Sequence, residues 1–359
     1  MRISAYQGYA TSTQIFASGR VLANRSWAGL TDTENVWRNL LNSFRQFNTN
    51  EVPNVAVRVR FEGVEQVVHT DKEGYYHAEL PHFATSETTW FQAEASCEVQ
   101  GQKLIASHDI LAPGADAEFG VISDLDDTVI ETNMTRLLTA AKLTFARNAK
   151  TRKPLEGVSA LYASLARGMV GRPVNPIFYV SSSPWNLYDL LCEFMALNDI
   201  PKGPTFLLDW GIDRTKFIKP RGHRAKLERA LQIMAEFPHL PFLLIGDSGQ
   251  QDAGLYAEAA TLYPDRIKAI YIRDVDPSTA TRRDDEVNAH IQTATRHGVA
   301  MLLAPDSQAM AHHASGIGLI PARKEHDVQV EVAKDQARPS VGTKAATEAV
   351  ENILHPPQS

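Results

Sequence analysis

From residue 119 onward, short apolar segments alternate with amphipathic helical segments, and this alternation constrains the fold more than any other feature. Neighbouring parallel strands need a crossover connection, which a helix supplies, and the helices then bury both faces of the sheet. We therefore predict an α/β domain with a parallel sheet. Its strands are expected at 119–123, 177–180, 206–208, 242–245, 267–272 and 299–303, with helices at 187–197 and 226–237 among them.

The chain before residue 119 has a different hydrophobic period. Apolar and polar residues alternate at 55–61 and again at 91–99, which is typical of strands with one buried face. One amphipathic helix, with a capping box at Thr31 and Glu34, is predicted to interrupt these strands. We predict that residues 1–118 form a β-sandwich with a helical insertion.

The last part of the chain carries few structural signals. After residue 325 the sequence is polar, lacks aromatic residues and shows no sustained period. We expect residues 326–359 to form a mostly disordered tail, with a short helix near 347–354.

Composition excludes several classes of protein. The net charge of −6 disfavours nucleic acid as a partner, because phosphate neutralisation needs clustered cations. The two cysteines, Cys97 and Cys192, can build neither a disulfide framework nor a thiolate zinc site. The first twenty residues contain no apolar signal core, and no apolar stretch is long enough for a transmembrane helix. We expect a cytoplasmic protein.

Three aspartates follow the first predicted strand of the α/β domain, in the sequence DLDDT at 124–128. Ligands of such sheets bind beyond the carboxyl ends of the strands. Asp124 and Asp126 could hold a hard divalent cation there and direct one oxygen at an electrophile. The alternatives are an acid-rich helix N-terminus and a calcium loop. Val129 excludes an EF-hand, which needs glycine at that position.

Three serines and a proline follow the strand predicted at 177–180. Ser183 could be the N-cap of a helix that begins at Pro184, which is a structural role. Ser181 and Ser182 are not explained in this way. A hydroxyl at a strand end, next to a helix N-terminus, can donate to a phosphate oxygen. Both interpretations stay open on the residues alone.

The segment GDSGQQD at 246–252 follows the strand predicted at 242–245. Its first four residues occur around the nucleophile of trypsin-like proteases, but these need an all-β double barrel, which an α/β context excludes. We predict instead that Asp247 and Asp252 add carboxylates to a metal site.

A basic stretch, KFIKPRGHRAK at 216–226, lies between the second and third clusters. The simplest interpretation is a solvated charged face. The alternative is that one lysine neutralises phosphate charge inside the site while the others attract an anionic substrate or surface. The remaining histidines, including His312 and His313, lack metal-ligand spacing and are predicted to be structural.

In combination, these motifs resemble the four motifs of the haloacid dehalogenase (HAD) superfamily. The segments VISDLDDTVIETN, FYVSSSPWNLYDLL and IGDSGQQDAGLYAEAATLYPDRIKAIYIRDV further resemble the catalytic domain of the actin-patch phosphatidate phosphatase family, over about residues 119–320. The resemblance implies a HAD-like Rossmannoid sheet at 119–325 and Mg²⁺-dependent hydrolysis of a phosphomonoester. It implies phosphatase rather than dehalogenase chemistry, because Asp126 can protonate a leaving oxygen.

The resemblance also implies roles for individual residues. Asp124 would be the nucleophile that forms an aspartyl-phosphate, and Asp126 the general acid and then the general base. Lys226, preferred over Lys216 and Lys219 because it begins the helix before the Asp247 strand, would neutralise phosphate charge. Phosphate would be bound by Ser181, or else Ser182, together with Lys226, and Mg²⁺ by Asp124, Asp126, Asp247 and Asp252.

Two departures from the family concern substrate contacts. Relatives usually have histidine where this chain has Ala225, and arginine where it has Leu208. The segments at about 131–176 and 195–225 leave no room for a large cap domain, so an open site and a bulky substrate are expected. We predict a phosphatidate phosphatase-like enzyme, acting at a membrane surface if its substrate is a lipid. The alternatives are a phosphatase for another soluble or protein-borne phosphomonoester, and a binding module without turnover.

Overall fold

The computed structural model describes residues 1–23, 51–125, 128–129, 155–208, 224–277 and 282–337. The helices predicted after Thr31 and near 347–354 lie outside these ranges, as do Asp126 and the basic stretch up to residue 223.

The N-terminal part of the chain contains eight strands in the described ranges, which form one hydrogen-bonded sheet. The strands are β1 Arg2–Ala5, β2 Gly8–Ala10, β3 Gln14–Leu22, β4 Ala56–Phe61, β5 Val64–His69, β6 Tyr75–Pro81, β7 Thr89–Val99 and β8 Gln102–Ala112. Their order in the sheet is β1-β3-β2-β8-β7-β4-β5, with β6 paired to β3. Since all eight strands belong to one sheet, the predicted two-sheet sandwich is not confirmed.

The alternation that predicted β4 and β7 reflects a buried face. Val57 and Val59 are fully buried, whereas Arg58 between them is exposed.

One polar side chain of the N-terminal sheet is also fully buried, namely His108. Its Nδ1 lies 2.9 Å from the Tyr6 carbonyl oxygen, which can only accept, so Nδ1 carries the proton. Nε2 then accepts from the Tyr76 hydroxyl at 2.9 Å, and the imidazole is neutral.

The chain after residue 119 contains a six-stranded sheet in which all neighbouring strands are parallel, as predicted. The strands are β9 Gly120–Asp124, β10 Ile177–Pro184, β11 Thr205–Leu208, β12 Phe242–Asp247, β13 Ile267–Arg273 and β14 Met301–Ala304. Their order is β11-β10-β9-β12-β13-β14, so the direction of winding reverses between β9 and β12. A reversal of this kind opens a crevice at the carboxyl ends of the strands.

Helices cover both faces of this sheet, which explains why its strands are continuous apolar runs. The helices are α1 Val158–Arg167, α2 Tyr188–Leu197, α3 Arg224–Glu236, α4 Asp252–Leu262, α5 Arg282–Arg296, α6 Ser307–Gly316 and α7 Ala322–Ala337. One face of the sheet is covered by α1, α2, α6 and α7, and the other by α3, α4 and α5. Of the helices that the structure describes, none combines the length and the apolar character that a membrane span requires.

Two local predictions are wrong. The chain from 326 to 337 is not a disordered tail but belongs to α7, which packs against α1 and α6. Val328 and Val332, four residues apart on one helical face, are buried in the core and account for its order. Ser183 is not a helix N-cap, because β10 continues to Pro184 and α2 begins only at Tyr188.

The N-terminal sheet packs directly against the segment that follows the three serines. The Tyr6 ring stacks on Trp185 at a centroid distance of 4.4 Å. The backbone N–H of Gln7 donates to the Tyr188 hydroxyl at 2.5 Å, and Arg2 pairs with Asp189 at 2.7 Å. The first strands therefore support the start of α2, beside the carboxyl end of β10.

Candidate active site

Three buried carboxylates meet at the point where the winding of the parallel sheet reverses. Asp124 and Asp247 are the last residues of β9 and β12, and Asp252 is the first residue of α4. None of the three is exposed to solvent. Each offers one oxygen that lies within 4.8 Å of the others. The structure thus brings together three of the four predicted metal ligands.

The turn between β12 and α4 brings Asp252 back against the end of its own strand. A side chain at Gly246 would place its Cβ 2.6 Å from the Cβ of Asp252, so only glycine permits this approach. The Asp247 N–H then donates to Asp252 Oδ2 at 3.4 Å. An acid in the first turn of a helix is also favoured by the helix dipole. The Gly-Asp pair and the later aspartate therefore form one local unit.

Lys226 lies in the first turn of α3 and carries the only lysine ammonium near these carboxylates in the described ranges. Its Nζ is 2.8 Å from Asp124 Oδ1 and 3.2 Å from Asp252 Oδ1, and its side chain is 1% exposed. Burial by itself would lower the pKa of Lys226, but the two carboxylates outweigh it and the pKa is raised. The ammonium is therefore charged at physiological pH.

Gln250 is a member of the cluster that the sequence interpretation missed. Its Oε1 accepts from Lys226 Nζ at 3.0 Å, and its Nε2 donates to Asp247 Oδ2 at 3.1 Å. Nε2 also reaches Asp124 Oδ2 at 3.5 Å. The backbone N–H of Gln250 donates to Asp247 Oδ1 at 2.8 Å. Its position inside the Gly-Asp segment was the available signal, but amides in such turns usually face solvent.

The predicted phosphate-binding serines lie at the same edge of the sheet. Val180 is in register with Asp124, so Ser181 and Ser182 follow directly beyond it on the neighbouring strand. Ser181 is buried and its hydroxyl accepts the N–H of Ser183 at 2.9 Å. Ser182 is half-buried.

Arg273 is a second cation at this edge that the sequence interpretation did not single out. It ends β13, is in register with Asp247 and is 7% exposed. One of its guanidinium nitrogens donates to the Ser307 hydroxyl at 3.1 Å. A charged residue at the end of an apolar strand was the signal that could have found it.

Other residues that the sequence interpretation considered fall elsewhere. Asp126, Lys216 and Lys219 lie outside the described residues. His312 pairs with Glu325 at 2.9 Å, and His313 with the Tyr271 hydroxyl at 3.0 Å. Within the ranges that the structure describes, the carboxylate cluster is the only group of three or more potential metal ligands.

The donor set limits what the cluster can bind. Carboxylate oxygens are hard ligands, which suit Mg²⁺ and disfavour soft metals. Lys226 contacts only two of the three buried carboxylates, so one ammonium does not balance the cluster, and a buried uncompensated charge is costly. A divalent cation fits these residues, and its charge together with that of Lys226 suits an anionic substrate group.

A family model and curated relatives resemble parts of this chain. The sequence profile of the family described as "Phosphatidate phosphatase APP1, catalytic domain" matches residues 119–274. An uncharacterized protein of Schizosaccharomyces pombe is 31% identical over 216 residues, which cover 58% of this chain and 34% of that protein. Phosphatidate phosphatase APP1 of Saccharomyces cerevisiae is 32% identical over 160 residues, which cover 43% of this chain and 25% of that protein. The chain therefore spans about a third and a quarter of these relatives.

Solved structures resemble this chain only distantly. A carbohydrate acetylesterase from Xanthomonas citri covers 80% of this chain and 71% of its own, with 13% identity and a TM-score of 0.27. The match to the minor pilin PilB from Streptococcus sanguinis covers 78% of this chain and 89% of the pilin, with 8% identity and a TM-score of 0.28. Both scores are too low to carry an argument about fold or function.

Proposed function

Because residues 119–274 belong to the catalytic-domain family of phosphatidate phosphatase APP1, we propose that this chain is a Mg²⁺-dependent phosphomonoester hydrolase. The observation that carries the proposal is the buried contact of Lys226 with Asp124 and Asp252, at the carboxyl edge of the sheet. A lysine placed among carboxylates in this way supports nucleophilic chemistry on a dianion, which a carboxylate alone would repel.

Mg²⁺ would be held by Asp124, Asp247 and the main-chain carbonyl of Asp126, with Asp252 supporting the site. When bound, the cation supplies positive charge that stabilises the phosphoryl group during its transfer. Within the chain itself, Lys226 supplies a second positive charge. Ser181 or Ser182 would hold a phosphate oxygen from the neighbouring strand.

The reaction would proceed in two displacements at phosphorus. A carboxylate oxygen of Asp124 forms a bond to phosphorus while the bond to the substrate oxygen breaks, and Asp126 gives its proton to that oxygen. Asp126, now ionised, takes a proton from water, whose oxygen attacks the aspartyl-phosphate. Inorganic phosphate leaves, and Asp124 is restored as a carboxylate. One aspartate thus serves as acid and then as base.

The substrate class that we propose is phosphatidate at a membrane surface. It is supported by the name of the Saccharomyces cerevisiae relative, of which this chain spans a quarter. The cluster itself recognises a phosphomonoester and not an acyl chain, so a soluble phosphomonoester is the second candidate.

The test measures phosphate release by the full chain, with Mg²⁺ and with EDTA, from phosphatidate in mixed micelles, an aryl phosphate and a phosphopeptide. We expect Mg²⁺-dependent release, fastest from phosphatidate, and its loss in Asp124→Asn. Asp265→Asn is the matched control, because Asp265 is exposed and lies just before β13, at the amino edge of the sheet, whereas the cluster lies at the carboxyl edge. Activity that survives Asp124→Asn would refute the role of Asp124 as the nucleophile. A wild-type protein that is inactive on all three substrates would refute the proposed phosphatase activity.

A further inference from the structure

The side-chain amide of Gln250 lies between the two strand-end carboxylates of the cluster. Its Nε2 is 3.1 Å from Asp247 Oδ2 and 3.5 Å from Asp124 Oδ2. Its Oε1 accepts from Lys226 at 3.0 Å. The amide therefore connects the lysine with two of the residues that belong to the candidate metal site.

A divalent cation would need the same oxygens. Mg²⁺ binds carboxylate oxygens at about 2.0–2.1 Å and demands near-octahedral geometry, so its ligands must converge on one point. An amide N–H directed at a carboxylate oxygen occupies one of its lone pairs and the space in front of it, where a cation bound from the same side would lie. The Nε2 group and a cation cannot both lie between Asp124 and Asp247.

We propose that the Gln250 side chain competes with Mg²⁺ for the carboxylates, and that it turns away from them when the cation binds. The inference rests on the metal site of the proposed function. Gln250 is then a positioning residue, which keeps Asp124, Asp247 and Lys226 in place before the metal arrives. The backbone N–H of Gln250, which donates to Asp247 Oδ1 at 2.8 Å, does not depend on the side chain and holds Asp247 in both states.

A cavity beside the cluster can receive the displaced amide. Gln250 lines a cavity of about 290 Å³ that is also bounded by Gly254, Arg283 and His290. Its wall includes polar groups, so the amide does not lose hydrogen bonding when it turns there. A rotation of the side chain is sufficient, and the backbone of the Gly-Asp turn need not change.

The experiment is isothermal titration calorimetry of MgCl₂ into the full chain after removal of metals by chelation and dialysis. We expect Gln250→Ala to bind Mg²⁺ about tenfold more tightly than the wild type, a difference of about 1.4 kcal/mol. Gln250→Asn is the second variant, since its shorter amide does not span from Lys226 to Asp124, and it should also bind more tightly. Gln292→Ala, which removes an exposed glutamine of α5 that does not line the cavity, should bind as the wild type does.

Thermal unfolding of the same proteins gives an independent readout. In EDTA we expect Gln250→Ala to unfold at a lower temperature than the wild type, and in saturating Mg²⁺ the difference should shrink. Equal or weaker Mg²⁺ binding by both variants would overturn the inference, because the amide would then support the ligands and not compete with the cation. A wild-type protein that binds no Mg²⁺ would instead refute the metal dependence of the proposed function.

Discussion

Lys226 Nζ lies 2.8 Å from Asp124 Oδ1, and neither side chain is exposed to solvent. The pair joins the first turn of α3 to the end of the central strand β9, which are separated by about a hundred residues of sequence. Two charges buried at this distance interact strongly, and each makes the burial of the other tolerable. The pair therefore links the stability of the sheet edge with the charge that the candidate site presents to a substrate.

Replacing Lys226 by methionine tests this link, because methionine keeps the length of the side chain and removes its charge. We expect kcat for an aryl phosphate to fall by about 100- to 1,000-fold, the typical loss for one electrostatic stabiliser of a transition state. We also expect the free energy of unfolding to fall by about 3–5 kcal/mol, since Asp124 loses its buried partner. Steady-state kinetics and urea unfolding measure the two effects. Lys268→Met, at an exposed position of β13, should change neither.

Gly246 gives a steric test of the turn that carries Asp247. An alanine there would bring its Cβ to 2.6 Å from the Cβ of Asp252, so the start of α4 must shift. We expect Gly246→Ala to destabilise the protein by about 1–3 kcal/mol, as other overpacked sites do, and to weaken Mg²⁺ binding in calorimetry. Gly316→Ala is the control, because a Cβ at Gly316 meets no atom within 4 Å. Unchanged stability and Mg²⁺ affinity in Gly246→Ala would contradict the close packing of the turn.

Much of the parallel sheet could be predicted because each strand and helix leaves its own hydrophobic pattern in the local sequence. Short apolar runs ended where Asp124 and Asp247 stand, and the β9–β12 pairing then placed both at one edge. The helix period likewise indicated that Lys226 begins a helix before β12. What the sequence could not give is the contact of Gln250 with Lys226, because it depends on the tertiary approach of a turn to another helix.

The errors have equally specific causes. In α7 the valines at 328, 330 and 332 alternate with polar residues, which conceals the helical pair formed by the first and the last. The N-terminal strands were recognised by their alternation, but alternation does not tell which strands pair. The pairing of β2 with β8, which places both in one sheet, joins residues about a hundred positions apart, and no local pattern indicates it.

The buried side chain of His108 should make the free energy of unfolding depend on pH in the mildly acidic range. Burial lowers the pKa of the folded imidazole below its ordinary value of 6.5, although the hydrogen bond to the Tyr6 carbonyl raises it in part. Between the lowered pKa and 6.5 the unfolded chain binds one more proton than the folded protein. The free energy of unfolding therefore falls as the pH drops through this range, by up to about 1.4 kcal/mol per pH unit.

The measurement is urea unfolding from pH 7.5 down to pH 5. His108→Gln should be less stable than the wild type at neutral pH and should lose part of the decline at acid pH. The exposed residue His239 gives the control, since His239→Gln should keep the full decline. An identical pH profile in His108→Gln would show that the buried imidazole does not titrate in this range.

Helix α7 offers a test in which two valines of one helix differ only in burial. Val328 is fully buried against the core that contains α1, whereas Val330 is 38% exposed. Removing two methyl groups from a packed position costs the transfer free energy and leaves a cavity, so we expect Val328→Ala to lower the free energy of unfolding by about 1–3 kcal/mol. Val330→Ala should change it by less than about 0.5 kcal/mol. Chemical denaturation checks both values, and equal effects would mean that α7 is not packed against α1 and α6, because burial alone separates the two positions.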